Sequence, residues 1–232
     1  MHHNDKQKIL SRYTERAELF GHGAAAIGEP LKRQPFYYYF MLPTDEFGPN
    51  DSILDVGCAY GDLLRYLKAI GWTGRYCGID INPDLVAEGK ARAPDSDLRV
   101  HDIQDEPLGE IFDWCFSCHV ITSDTDDIPY LDHLQGMLEH MWAHTRKGIL
   151  FNLLSPLVDY TNPIHARPKF SDVLAIVTRL TNRFSLRHDY MPFEFSLQLY
   201  KQNQVNRDSL IFSEHDALFT KVSDRWEAGN AK

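Results

Sequence analysis

No stretch of this chain approaches the ~20 consecutive apolar residues that a membrane helix needs, so no membrane partner is expected. The opening Met1-His2-His3-Asn4-Asp5-Lys6 is polar where a secretory signal has an apolar core, which makes a cytoplasmic location the expectation. Cysteine is scarce: there are four, Cys58, Cys77, Cys115 and Cys118. Three fall in expected core elements, as small buried hydrophobes of a reducing compartment would, so a disulfide framework is not expected. Basic charge is also short, with 24 Lys and Arg against 33 Asp and Glu, a net charge of -9 and no long basic stripe. Nucleic-acid binding relies on clustered cations that replace phosphate counterions, so a nucleic-acid partner is disfavoured. Internal repeats and low-complexity tracts are missing. What remains is a 232-residue chain, 43% apolar and 25% charged, which is ordinary globular composition for one domain.

Along that chain, strand-like and helix-like segments alternate. Residues 4–20 read as a polar helix with Ile9, Leu10, Tyr13, Ala17 and Phe20 on one side. Residues 21–50 read as irregular, rich in Gly and Pro, with an aromatic run at 36–40. Strands are expected at 52–56, 76–79, 98–101, 112–118 and 148–154. Helices are expected at 62–70, 83–91, 130–144 and 171–182, with Ser171 as N-cap of the last. Two final strands, 184–190 and 193–200, flank a turn at Met191-Pro192 too short for a crossover helix, so they should pair antiparallel. The alternation implies an α/β fold with a parallel sheet covered on both faces. Residues 201–232 form an extension, helical over 213–226, that could dock a partner or make a homodimer contact.

The most informative segment is Ile53-Leu54-Asp55-Val56-Gly57-Cys58-Ala59-Tyr60-Gly61-Asp62, a strand, a glycine-bearing turn and a helix start. Glycine lets a ligand approach the backbone, and ligands of such sheets sit at the carboxyl ends of strands. The spacing G-x-x-x-G is not the dinucleotide G-x-G-x-x-G, and Asp55 would repel a pyrophosphate. A nicotinamide-dependent dehydrogenase is therefore disfavoured. A cationic ligand without phosphate, such as S-adenosylmethionine (SAM), suits the acid. Asp80, with Ile81 after it, ends the second strand about 20 residues beyond the turn, where an acid can accept from ribose hydroxyls. Asp102 and Ile103 follow the third strand, placed to meet an adenine ring.

The order LDVGCAYG, GIDI, HDI resembles the class I SAM-dependent methyltransferases over residues 50–155. The resemblance implies a Rossmann-like seven-stranded sheet of order 3-2-1-4-5-7-6, with the last strand antiparallel and helices on both faces. It implies a methyltransferase domain over 1–200, with a helical cap at 1–50. It implies that Asp55, Gly57, Cys58, Ala59 and Gly61 hold the methionine end of the cofactor, Asp80 and Ile81 the ribose, and Asp102 and Ile103 the adenine. Arg33-Gln34, Leu150–Ser155, Val158-Asp159-Tyr160 and Leu186–Pro192 resemble a narrower bacterial subgroup whose acceptor is not defined.

On the acceptor side, the segment after the fourth strand lacks the (Asp/Asn)-Pro-Pro-Tyr motif and the Pro-Cys pair of DNA-base methyltransferases. A small-molecule acceptor, methylated at O, N or C, is the expectation. His119 stands at the expected pocket mouth, as a base for a hydroxyl or amine or as a positioning group. Asp159, Tyr160 and His165 are further acceptor-side candidates, while Tyr13 and Arg33 could close over the cofactor. Cys115 and Cys118 on one strand would lie ~10 Å apart on opposite faces, so they read as structural and no metal site is expected. The acidic loop 123–127 could attract a cationic acceptor or a divalent ion, although a solvated loop is the simpler reading. Two other functions remain open: methylation of tRNA or protein, and SAM binding without catalysis.

Overall fold

A computed structural model describes residues 3–28, 33–43, 45–123, 128–160 and 165–230. Most of the acidic loop, residues 124–127, lies outside these. Seven strands form one sheet in the order β3-β2-β1-β4-β5-β7-β6. They are β1 (Ile53–Val56), β2 (Tyr76–Asp80), β3 (Leu98–Val100), β4 (Phe112–Ser117), β5 (Thr145–Leu154), β6 (Phe184–Arg187) and β7 (Glu194–Tyr200). The first five run parallel, and β7 pairs antiparallel with both β5 and β6. The expected order and the antiparallel last strand are both present.

The pleat decides which helix layer each strand residue meets. On β1 and β4, Leu54, Val56 and Cys115 face one core with Leu134, Met137, Leu138 and Met141 of α5 (Tyr130–Ala143) and Val173 and Val177 of α6 (Phe170–Leu180). Their neighbours Ile53, Trp114 and Phe116 face the other core. There they meet α2 (Gln34–Met41), α3 (Asp62–Ala69) and α4 (Pro83–Arg92). The two helix layers therefore follow from residue parity.

Three readings of the sequence need correction. The segment 21–50 is not wholly irregular, because α2 runs through its aromatic stretch. Gln34, Tyr37, Tyr38 and Met41 are its buried residues, one helical stripe at i, i+3, i+4 and i+7, and Pro35 sits in the first turn. Flanking aromatics at 36, 39 and 40 hide that period. Ser171 does not cap α6; the helix begins one residue earlier, with Lys169 at the N-cap and no side-chain cap bond. The C-terminal segment adds a small hairpin, β8 (Val205–Asn206) with β9 (Ile211–Phe212), before α7 (Asp216–Asn230). Among the described residues, no helix is long and apolar enough to cross a membrane.

Close approach of β5 and β7 gives a stability prediction. A Cβ on Gly148 would fall 2.0 Å from the Leu199 carbonyl oxygen and 2.9 Å from the Trp114 ring. Backbone cannot yield as a flexible side chain can, so the strands would have to part. Gly148→Ala should destabilise the chain by about 3 kcal/mol or more, read as a lowered urea midpoint. An unchanged midpoint would mean the two strands can separate there without cost.

Candidate active site

The carboxyl ends of β1, β2 and β4, the turn after β3, and the helices α1 (His3–Phe20) and α2 enclose one cavity. Its floor is the turn after β1. Gly57 and Cys58 both donate their N–H groups to the Ile79 carbonyl, tying the turn to β2 at 2.8 and 3.0 Å. Gly57 has φ +75, and a Cβ there would lie 2.1 Å from Val120 Cγ2. Both the left-handed backbone and the close approach require glycine. Ala59 also has positive φ, at +47. It is held there because its N–H donates to Asp80 Oδ2 at 2.9 Å, while Asn82 N–H donates to Asp80 Oδ1 at 2.8 Å. One carboxylate at the end of β2 thus shapes the β1 turn and the start of α4. Burial raises the Asp80 pKa, and the N–H donors of Asn82 and Ala59 oppose it.

Asp55 is 4% exposed and accepts the Tyr76 hydroxyl at 2.6 Å. Burial pushes its pKa up to about 7 against the opposing hydroxyl bond, and the negative charges of Asp80 and Asp62 push the same way. The cavity floor therefore carries a carboxyl group that no cation offsets among the described residues, an arrangement that would favour a cationic ligand. Asp102, 8% exposed, accepts Gln104 N–H on Oδ1 and Lys6 Nζ on Oδ2, both at 3.0 Å. Lys6 also reaches Asp105, at 2.8 Å, and Arg12 donates to Ser123 Oγ at 3.0 Å. Through these bonds α1 is pinned across the cavity.

Of the residues expected from sequence, Asp55, Gly57, Cys58, Ala59, Asp80, Ile81, Asp102, Ile103, Tyr13 and His119 line the cavity. Five do not. Gly61 instead stands at the N-terminus of α3, and the Arg33 guanidinium lies over the Tyr37 ring, 5.4 Å from its centroid. Asp159 is exposed, and Tyr160 turns outward with its ring edge on Phe193. His165 pairs its backbone with Ser123, the residue that receives Arg12.

The wall also includes Gln34, the partner of Arg33 in the subgroup-like pair. Gln34, 5% exposed, donates Nε2 to Asp62 Oδ2 at 3.3 Å, while its Oε1 is buried without a hydrogen-bond partner among the described residues. A buried acceptor without a described partner, on a residue that lines the cavity, suits an N–H-bearing ligand. At the β4 end, His119 hydrogen-bonds Glu194 through Nε2, and its ring meets the edge of Tyr37 at 4.6 Å.

Comparison with known proteins agrees with this geometry. A family model described as a methyltransferase domain matches residues 53–148. A methyltransferase-family protein of Mycobacterium tuberculosis is 30% identical over 160 residues, covering 65% of this chain and 93% of its own length. The magnesium protoporphyrin IX methyltransferase of Synechocystis, solved with bound SAM, superposes with a TM-score of 0.60 at 16% identity, over 84% of this chain and 96% of that one. DhpI, solved with S-adenosylhomocysteine (SAH), gives 0.64 at 16% identity, over 85% and 97%. The structural likenesses share the fold, and the bacterial relative fixes the family. This chain belongs to the class I SAM-dependent methyltransferases.

Proposed function

We propose that the cavity holds SAM together with a small-molecule acceptor, and that the acceptor is methylated at O, N or C by in-line displacement. The observation that carries this reading is the cavity wall itself: an unoffset acid on the floor, two more acids beyond the next two strands, and a turn kept open at Gly57. In this reading Asp55 and the 57–59 turn hold the methionine end, with the unpaired Gln34 Oε1 taking an ammonium N–H. Asp80 takes the ribose hydroxyls beside Ile81. Asp102 and Ile103 flank the adenine, and Tyr13 covers it from α1. The bound cofactor supplies a methyl group already activated on a sulfonium. The chain's own contribution is then mainly proximity and orientation. Ile9, Tyr13 and Ile27 exclude water from above, while Phe116 and Val120 shape the methyl end.

Calorimetric titration tests the cofactor assignment: micromolar binding of SAM and SAH with none of NAD is expected, and binding of NAD alone would overturn it. Supplying labelled SAM to separated low-molecular-mass and macromolecular extracts tests the acceptor class. Label entering tRNA or protein instead would overturn the small-molecule assignment.

The Asp55 carboxyl gives this binding a pH signature. A cation beside it favours the ionised form, so binding below pH 7 must release a proton. Affinity should be about tenfold weaker at pH 6 than at pH 8, with proton release seen as buffer-dependent binding enthalpy. The sign reverses for the chain alone. Asp55 binds its proton more tightly when folded, about 7 against an ordinary 3.8, so its contribution to stability falls as pH rises from about 4 to about 7. A flat affinity profile between pH 6 and 8 would show that Asp55 does not face the cationic end.

A further inference from the structure

Beyond the cofactor wall, at the same end of the sheet, three strands converge on one polar cluster. Glu194 is the first residue of β7 and is 5% exposed. Its Oε2 receives His119 Nε2 and, at 3.0 Å, Asn152 Nδ2 from β5. Asn152, 1% exposed, also accepts the His119 backbone N–H on Oδ1, at 2.7 Å. One amide therefore clamps the histidine backbone and the glutamate together. His119 has φ +59, a left-handed conformation that costs a non-glycine residue about 1 kcal/mol or more. Tyr37 packs edge-on against the ring, so the side chain is held from three directions.

A buried carboxylate is costly unless bonded to donors, and a carboxylate at one ring nitrogen of a neutral histidine fixes the tautomer. A hydrogen on Nε2 toward Glu194 leaves Nδ1 as the basic nitrogen, on a residue that lines the cavity. Nδ1 lies 3.6 Å from Cys118 Sγ, within reach of a weak thiol bond. The cavity wall on this side is apolar and aromatic, formed by Tyr37, Tyr38, Phe116 and Val120.

Resting on the methyltransferase reading above, we infer that Glu194 is a positioning residue that holds His119 as the base for a hydroxyl acceptor on an apolar or aromatic body. The acceptor oxygen bonds the methyl carbon as the carbon–sulfur bond breaks, and the electron pair stays on sulfur. The hydroxyl proton passes to Nδ1, and the imidazolium so formed is balanced by the Glu194 carboxylate. Among the described residues, the Cys118 thiol and the hydroxyls of Tyr37 and Tyr190 also stand near the ring, and burial pushes the Tyr190 pKa up to about 12.

The test is imidazole 15N NMR of the full chain saturated with SAH, with His119 assigned by its loss in His119→Gln. In the wild type the Nε2-protonated tautomer is expected. In Glu194→Gln, which keeps the shape and removes the charge, the His119 pKa should fall by about one unit or more, and Asn152→Ala should broaden the ring signals. An Nδ1-protonated ring, or a titration unmoved in Glu194→Gln, overturns the inference. SAH affinity is measured on the same samples. Loss of binding in the wild type would instead sink the methyltransferase reading, whereas binding with an unmoved imidazole sinks only the role of Glu194.

Discussion

Replacing Asp80 by alanine is expected to weaken SAM binding by about two to four orders of magnitude while leaving the chain folded. Two effects add. The carboxylate is the proposed ribose acceptor, and each hydrogen bond to a charged group is worth about 1.5–3 kcal/mol. The same carboxylate also ties Ala59 N–H and Asn82 N–H, so its removal frees the turn that faces the methionine end. Asp80→Asn keeps one acceptor oxygen and should fall between the two. Calorimetric titration with SAM, supported by far-ultraviolet circular dichroism to confirm folding, reads the result. An unchanged binding constant in Asp80→Ala would remove both the ribose role and the argument that this acid organises the turn.

Gly57→Ala should cost about 2–5 kcal/mol of stability, from the left-handed backbone and from overpacking against Val120, and should abolish cofactor binding as the turn shifts. The clash has one identified partner, Val120 Cγ2 at 2.1 Å, with the Val120 Cβ at 3.2 Å. Val120→Ala removes the γ-methyl groups and leaves that Cβ. The double variant should therefore regain the overpacking part and keep only the backbone cost of about 1–2 kcal/mol. Urea unfolding of the four proteins gives the coupling directly. Additive costs would show that the strain lies in the backbone alone, and a stable Gly57→Ala would show that the turn can open without penalty.

The part of the cavity wall formed by residues 55–59, 80 and 102 was legible because its signals are local. A strand, a turn and a helix start within residues 53–62 carry their own signal, and the acids at 80 and 102 recur one strand apart. The sheet order and the antiparallel last strand followed from resemblance and from the short 191–192 turn. Helix α2 was hidden because its buried stripe, 34, 37, 38 and 41, is embedded among equally apolar exposed neighbours such as Tyr39, which is 59% exposed. Glu194 carried no motif, and Asn152 lay within the subgroup-like stretch Leu150–Ser155 without a role, since only the pairing of β4, β5 and β7 brings them to His119. Asp159, Tyr160 and His165 were expected at the acceptor side because their segment follows β5. There Arg167 donates to the Tyr160 carbonyl and the Tyr160 and Phe193 rings meet edge-to-face, and none of the three residues lines the cavity.

Because β7 runs against β5, the residue it delivers to the working end of the sheet is its first and not its last: Glu194 lies opposite Leu154, and Tyr200 lies at the far end opposite Gly148. Under the proposed roles, the groups that meet the cofactor's ribose and adenine lie within residues 80–103, while the proposed base and the residues that hold it come from 119, 152 and 194. A recombination joint anywhere in the connection from 104 to 111 would leave the first set whole and exchange the second set entire. The strand order thus divides the gene so that the proposed base and its supports can be exchanged as one unit, while the ribose and adenine contacts stay together in the other part.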